Sequence, residues 1–219
     1  MTVSPQSRTE RLAHTSRVEA FSDGVMAIAI TLLVLEVKLP GGHRTVLRQL
    51  LHAWPSYFAY LVSFLTIGIV WLNHHSFFLK VDRIDQRLQW WNLMLLMFVS
   101  FLPFPTLVMA EHVESGRWDG NVAAAFYGLS AMLMTVPWVF MWSRLVRRPE
   151  LLVPGFDADF ARRERGRAWV GVIVYGACVL VALAVARLAL VLYVAVAVFY
   201  AVTNQGPRTA APAEAVEES

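Results

Sequence analysis

The sequence predicts an all-α protein that crosses the membrane several times, with six transmembrane helices and both termini in the cytoplasm. Of its 219 residues 57% are hydrophobic and only 16% are charged, whereas a typical soluble domain has about 25% charged residues. Apolar runs of about twenty residues, the length needed to cross a bilayer, recur along the chain. Lys and Arg are concentrated in alternate connections between these runs, which is the pattern expected of loops on the cytoplasmic side.

Five apolar runs define the six predicted spans. The last two come from one run of 36 residues with Arg187 near its middle. Because a single span takes about 17–25 residues, we expect this run to fold as a tight helical hairpin. Segments 1–17 and 204–219 flank the membrane domain, 18–203, as cytoplasmic tails, and the second is expected to be disordered. The spans are predicted over residues 18–39, 54–73, 90–110, 122–143, 168–186 and 188–203.

The distribution of basic residues supports this topology independently. The two tails and the connections 80–89 and 144–167 together carry 14 Lys and Arg residues, and the opposite side carries 5. Cytoplasmic connections carry the excess of Lys and Arg, so the side with 14 is predicted to be cytoplasmic. Both tails can lie there only if the number of spans is even.

Besides Pro55 in the first turn of the second span, three prolines fall in the interior of predicted spans. Pro103 and Pro105 lie in the third span and Pro137 lies in the fourth. Proline has no backbone N–H and its ring clashes with the preceding turn, so each is expected to bend its helix.

The first span has two different faces. At about 100° per residue, one stripe of the helix is mostly apolar. Asp23, the intramembrane acid of the chain, points roughly 140° away from Ile28. We therefore expect Asp23 to bond to a neighbouring helix, and the stripe to face lipid, another helix or a symmetry axis. The stripe consists of Arg17, Phe21, Gly24, Ile28, Thr31, Leu32 and Leu35.

The predicted topology suggests partners for the polar groups of the first span. His74 and His75, at the end of the second span, should lie at the same depth as Asp23, so an Asp–His hydrogen bond is expected. The same reasoning pairs Arg17 with Asn73. Adjacent residues of a helix diverge by about 100°, so the two histidines are not expected to share a metal ion.

These residues also resemble a known family. The pattern Arg17-x-x-x-Phe21-Ser22-Asp23, the stretch 24–35 that follows it, and Trp71 with His74-His75 are similar to the transmembrane protein 175 family of potassium channels in its bacterial six-span form. The motif match lies in the first half of the chain. Over spans four to six only topology and hydropathy match.

The resemblance implies a potassium-preferring cation channel, not an enzyme, that needs no cofactor and passes potassium ions. It implies a homotetramer in which the first span of each subunit lines a pore on the symmetry axis. The implied apolar constriction is formed by Ile28, Leu32 and Leu35, with Thr31 as a neighbouring polar lining residue. The remaining motif residues would hold helices together rather than contact the ion: Arg17, Phe21, Ser22, Asp23, Trp71, His74 and His75.

Other functions remain open from the residues alone. A proton-coupled transporter or proton pathway could use Asp23 with His74 and His75. A structural membrane protein without transport is a third possibility, and an intramembrane enzyme is the last, because the chain has no G-x-S-x-G, P-loop or dinucleotide motif. The expected partners are membrane lipid, which the basic segment 162–167 could contact, and monovalent cations, but not nucleic acid. The expected location is the plasma membrane.

Overall fold

The computed structural model describes residues 5–39 and 45–203, and it places the side chains from residue 15 onward except those of Ala158 and Thr203. The described part is helical apart from turns and one isolated β-bridge. The predicted all-α class is therefore confirmed, while the tail 204–219 lies outside the described residues. The helices are α1 (Pro5–Leu32), α2 (Val46–His52), α3 (Trp54–Phe78), α4 (Gln86–Phe101), α5 (Pro103–His112), α6 (Arg117–Arg147), α7 (Ala158–Ala184) and α8 (Ala186–Thr203).

Among the described residues, five helical segments are long and apolar enough to cross a membrane, and a sixth apolar helix is shorter. Each of the first five predicted spans overlaps one of the long segments, and the sixth overlaps the shorter helix. The number of crossings in the bilayer stays a prediction. The long segments are Thr15–Glu36, Trp54–Phe78, Gln86–His112, Arg117–Arg147 and Asp159–Ala184, and the shorter one is Ala186–Val202.

Two helical regions extend beyond the prediction. Helix α1 begins at Pro5, inside the segment 1–17 that was expected to be a tail. Six of the thirteen residues 5–17 are Arg, Glu, Leu or Ala, which are good helix formers. Helix α2, Val46–His52, lies in the connection between the first two spans and was not predicted.

The prolines act differently in the third and fourth predicted spans. The third predicted span is divided at Leu102, and Pro103 opens the new helix α5. Proline suits this first position because an amide there would have no partner in its own helix. Pro137 instead lies inside α6, which runs without interruption from Arg117 to Arg147. The third span is thus interrupted at Leu102, directly before Pro103, whereas Pro137 does not divide its helix. The bends expected at Pro105 and Pro137 stay predictions.

The last apolar run is a helical hairpin, as predicted, but it breaks at Val185 rather than at Arg187. Asn121 of α6 fixes the break: its side-chain nitrogen donates to the carbonyls of Leu183 and Ala184, at 2.9 and 3.1 Å, and its oxygen accepts from the amide of Ala186, at 2.9 Å. One side chain thus provides hydrogen-bond partners for backbone carbonyls at the end of α7 and for a backbone amide at the start of α8. Such groups at helix ends have no partner within their own helix.

The connections that were predicted to share a side do meet. Val81 and Leu152 form a β-bridge, and the amide of Val153 donates to the carbonyl of Lys80 at 3.1 Å. This joins the connection after α3 to the one after α6 at what we call the basic end of the bundle. At the opposite end, Lys38 forms an ion pair with Glu111 at 3.3 Å. The alternation of ends agrees with the predicted path of the chain.

Candidate functional site

Helix α1 is buried on one face and exposed on the other. Ser22, Met26, Ala29 and Leu33 are at most 1% exposed, and their spacing of three and four residues places them on one side of the helix. This side packs on α3 and α4. The stripe predicted from the sequence is left uncovered in the single chain.

Polar side chains anchor the buried side of α1 to α3. The indole Nε1–H of Trp71 donates to Oδ1 of Asp23 at 3.0 Å, and Nδ1 of His75 lies 2.9 Å from Oε1 of Glu19. Each helix contributes residues four positions apart, which share a face. Asp23 pairs with Trp71, and the earlier Glu19 pairs with the later His75, so α1 and α3 run antiparallel at this point.

A second chain of hydrogen bonds links the same two helices through α4. Nδ2 of Asn92 donates to Oγ of Ser22 at 2.9 Å, and Oδ1 of Asn92 accepts from Nε2 of His74 at 2.9 Å. All three residues are buried. Buried polar groups in hydrocarbon need such partners, so Asn92 fixes the positions of three helices at once. We call the seven residues of these two contacts the polar junction: Glu19, Ser22, Asp23, Trp71, His74, His75 and Asn92.

The detailed pairings expected from the sequence are partly wrong. Asp23 is bonded to Trp71 rather than to a histidine. Because α1 and α3 are antiparallel, Trp71 lies at the depth of Asp23, and His75 lies at the depth of Glu19. Asn73 donates to the carbonyl of Ile69 within its own helix, at 2.9 Å, instead of reaching Arg17. Arg17 is exposed.

Two members of the polar junction were missing from the predicted set. Asn92 is an amide within an apolar predicted span, which is itself a signal of an interhelical hydrogen bond. Glu19 shares the helix face of Asp23, and that face was already expected to contact a neighbouring helix. Within the described residues, no group of three or more His, Cys, Asp or Glu side chains could hold a metal ion.

The uncovered stripe is apolar apart from one hydroxyl and a terminal arginine. Ile28 is 61% exposed and Leu35 is 68% exposed, and Leu32 and Phe21 are also open. Thr31 is exposed as well, and its hydroxyl donates to the carbonyl of Ile28 at 2.8 Å. That bond uses its proton within the helix, so its oxygen can accept a hydrogen bond from outside. Leu35 lies in the 3₁₀ turn Leu33–Glu36 that follows α1.

The fold and this site define a class of protein, a helical membrane protein of several spans. Its first helix is held by hydrogen bonds between side chains on one face and is exposed on the other. Comparison with known sequences gives the family. The sequence model of the family described as "Endosomal/lysosomal potassium channel TMEM175" matches residues 17–103. A potassium channel of Streptomyces collinus is 43% identical over 195 residues, covering 88% of this chain and 94% of its own.

Further relatives agree with this. A potassium channel of Chamaesiphon minutus is 42% identical over 150 residues, covering 66% of this chain and 72% of its own. The crystal structure of a lysosomal potassium-selective channel TMEM175 homologue from Chamaesiphon minutus superposes with a TM-score of 0.77 at 33% identity, over 87% of this chain and 97% of that one. The chain therefore belongs to the TMEM175 family of ion channels, as the motif indicated.

The resemblance extends in part to animal proteins. The endosomal/lysosomal proton channel TMEM175 of Gallus gallus is 39% identical over 111 residues, which is 46% of this chain and 22% of the length of that protein.

Proposed function

We propose that this protein is a potassium-preferring cation channel, formed by four copies whose α1 helices surround a pore on the symmetry axis. The observation that carries the proposal is the uncovered stripe of α1 in a chain of this family. Its bacterial relatives are named potassium channels. With one membrane domain per chain and no internal repeat in the sequence, a pore on a symmetry axis requires several copies.

Burial within the single chain supports the assignment of the stripe. Met26 and Leu33 are buried where α1 and the turn that follows it pack on α3, so Ile28, Leu32 and Leu35 point away from that contact. Four copies brought together along the stripe would surround a narrow passage with apolar side chains.

Such a passage gives a physical mechanism for gating. Water leaves a narrow apolar constriction, and an ion cannot pass without water or substitute ligands. A small outward movement of α1 would hydrate the constriction and admit ions. Ile28, Leu32 and Leu35 are assigned to this gate, and the hydroxyl oxygen of Thr31 is assigned to contact the ion or its hydration shell beside it.

The polar junction holds α1 in place in this mechanism and does not contact the ion. Its members bond to each other on the side of α1 opposite Ile28. A second candidate is a proton pathway through the same titratable residues, since relatives in animals are named proton channels. In that case neutralising Asp23 would abolish flux, whereas in a channel the flux would persist.

The proposal can be tested by passive ion flux into liposomes that contain the purified protein. We expect potassium flux that exceeds sodium flux and that requires no proton gradient. The same flux is expected from Asp23→Asn, because the amide oxygen of the new side chain can still accept from Trp71. Flux that occurs only with a proton gradient, or that disappears in Asp23→Asn while the protein remains folded, would favour the second candidate.

The gate is tested by Ile28→Asn. A polar side chain in the constriction favours its hydration, so we expect larger flux and a smaller preference for potassium over sodium. Ile173→Asn on α7 is the matched control, because Ile173 is 66% exposed, close to the 61% of Ile28, but on another helix. Unchanged flux in Ile28→Asn, or an equal change in the control, would refute the assignment of the gate.

A further inference from the structure

Arginines from three helices converge on one cleft at the basic end of the bundle. The cleft has a volume of about 470 Å³ and lies among α4, α6 and α7. The arginines of α6 are three positions apart, as are those of α7, so each pair shares one helix face. The five are Arg87, Arg144, Arg147, Arg162 and Arg165.

Acidic residues neutralise only part of this charge. Arg144 is paired with Asp85, and Arg162 is paired with Asp159 at 2.6 Å. Within the described residues, no ion pair is formed by Arg87, Arg147 or Arg165. About three positive charges are therefore left around one concave surface, which favours an anionic ligand.

Apart from Ser143 and Gly166, the remaining lining of the cleft is aromatic and apolar. Trp91 and Phe140 stack with their ring centroids 4.0 Å apart, and Trp169 and Val139 complete the wall. Trp169 is half exposed. Tryptophan is frequent at the boundary between hydrocarbon and headgroups. Guanidinium groups beside such a wall match a molecule with an anionic phosphate head and hydrocarbon tails.

We propose that this cleft binds an anionic phospholipid of the adjacent leaflet, with its phosphate held by Arg147, Arg165 and Arg87. The orientation of a membrane protein requires basic residues on one side, but it does not require them to surround a single cavity. Arg148 and Arg163 lie at the same end but do not line the cleft. They pair instead with Glu150 and Asp157, at 2.8 and 3.3 Å.

The test is lipid binding by the purified, delipidated full-length protein. Native mass spectrometry measures the binding, and thermal unfolding measures the stability that it adds. Phosphatidylglycerol is expected to bind and to raise the melting temperature, and phosphatidylcholine is not. The double variant Arg147→Gln/Arg165→Gln should bind phosphatidylglycerol about thirtyfold more weakly, as expected for the loss of two cations near a headgroup. The matched control Arg148→Gln/Arg163→Gln removes the same charge outside the cleft and should bind like the original protein.

Three outcomes would overturn the proposal. One is equal binding of the two lipids, and another is an equal loss in both double variants, which would reflect net charge alone. The third is an equal rise in melting temperature with glycerol phosphate alone, which would indicate an anion site without a lipid. If the cleft variant does not fold, Arg87→Gln, which removes a single exposed cation, replaces it in the same comparison. Binding is measured here without ion flux, so the result is independent of the proposed channel function.

Discussion

The two halves of this molecule are held together by different kinds of contact. In the first half the polar junction joins α1, α3 and α4 through hydrogen bonds between side chains. In the second half α6, α7 and α8 approach closely at glycines and are fixed by tyrosine hydroxyls and one asparagine bonded to backbone. We call this second set the tyrosine junction: Asn121, Gly128, Gly171, Tyr193 and Tyr200.

The geometry of the tyrosine junction depends on small residues. Tyr193 donates from its hydroxyl to the carbonyl of Ala124 at 2.9 Å, and that hydroxyl fills the space where a Cβ at Gly128 would lie. Tyr200 donates to the carbonyl of Arg167 at 3.2 Å, and a Cβ at Gly171 would lie 2.6 Å from its hydroxyl. Small residues that allow close approach are a common basis of helix packing in membranes.

The family sequence model covers the residues of the polar junction and ends before those of the tyrosine junction. The family sequence model matches residues 17–103, from the start of the motif to the proline that opens α5. A network of side-chain bonds needs particular residue types at particular positions.

The largest expected effect comes from adding one methyl group to the tyrosine junction. Gly128→Ala would overlap the hydroxyl of Tyr193, and we expect a loss of about 1–3 kcal/mol in the free energy of unfolding. Gly176→Ala is the matched control, because its Cβ would lie 3.5 Å from Sδ of Met132, an ordinary contact. Alanine favours a helix over glycine by up to about 1 kcal/mol, so the control should be neutral or stabilising.

Thermal unfolding in detergent measures both changes. Two variants with the same sign and size would show that close approach at Tyr193 is not what fixes the second half.

The next effect tests the polar junction. Asn92→Leu keeps a similar volume but removes the hydrogen bond that Ser22 accepts and leaves Nε2 of His74 without a partner, although Ser22 still donates to the carbonyl of Val18. We expect a loss of about 1–2 kcal/mol. Asn73→Leu is the control, since Asn73 bonds only to the backbone of its own helix. Chemical or thermal unfolding of the two variants gives the comparison. Equal stability of both would mean that the hydrogen bonds of the polar junction contribute little to holding the first half together.

The smallest effect concerns the contact that joins the two halves at the basic end. Asp85 accepts from the amide of Leu88 at the start of α4 and pairs with Arg144 of α6. Partial burial would raise the pKa of Asp85, but the bonds from Arg144 and Leu88 outweigh it and hold the pKa below the ordinary value of 3.8. A lowered carboxyl pKa stabilises the folded state above the unfolded pKa, and this is lost as the pH falls through the native pKa.

Asp85→Asn should therefore lower stability by about 1 kcal/mol near neutral pH and by less in acid. The measurement is the melting temperature as a function of pH. In the double variant with Arg144→Gln the second change should cost less than it does alone. A pH profile of Asp85→Asn parallel to that of the original protein would contradict the role of the pair.

Much of the architecture follows from the sequence alone. Uninterrupted apolar runs must form helices in a membrane, since no other structure satisfies the backbone of a single segment there. The spacing of apolar residues by three and four positions predicted the two faces of α1, and Ile28, Leu32 and Leu35 are exposed in the structure. The excess of Arg and Lys predicted which connections share an end, and Val81 and Leu152 meet at that end.

The pairing of polar groups was decided by tertiary structure. Helical periodicity gives the direction of Asp23, but it does not give the height at which α3 passes, and one turn of a helix separates Trp71 from His75. The break at Val185 rather than Arg187 has the same origin, because Asn121, more than sixty residues away in the chain, satisfies its backbone. Periodicity and hydropathy are local properties of the chain, whereas the register between helices is set by contacts between distant segments.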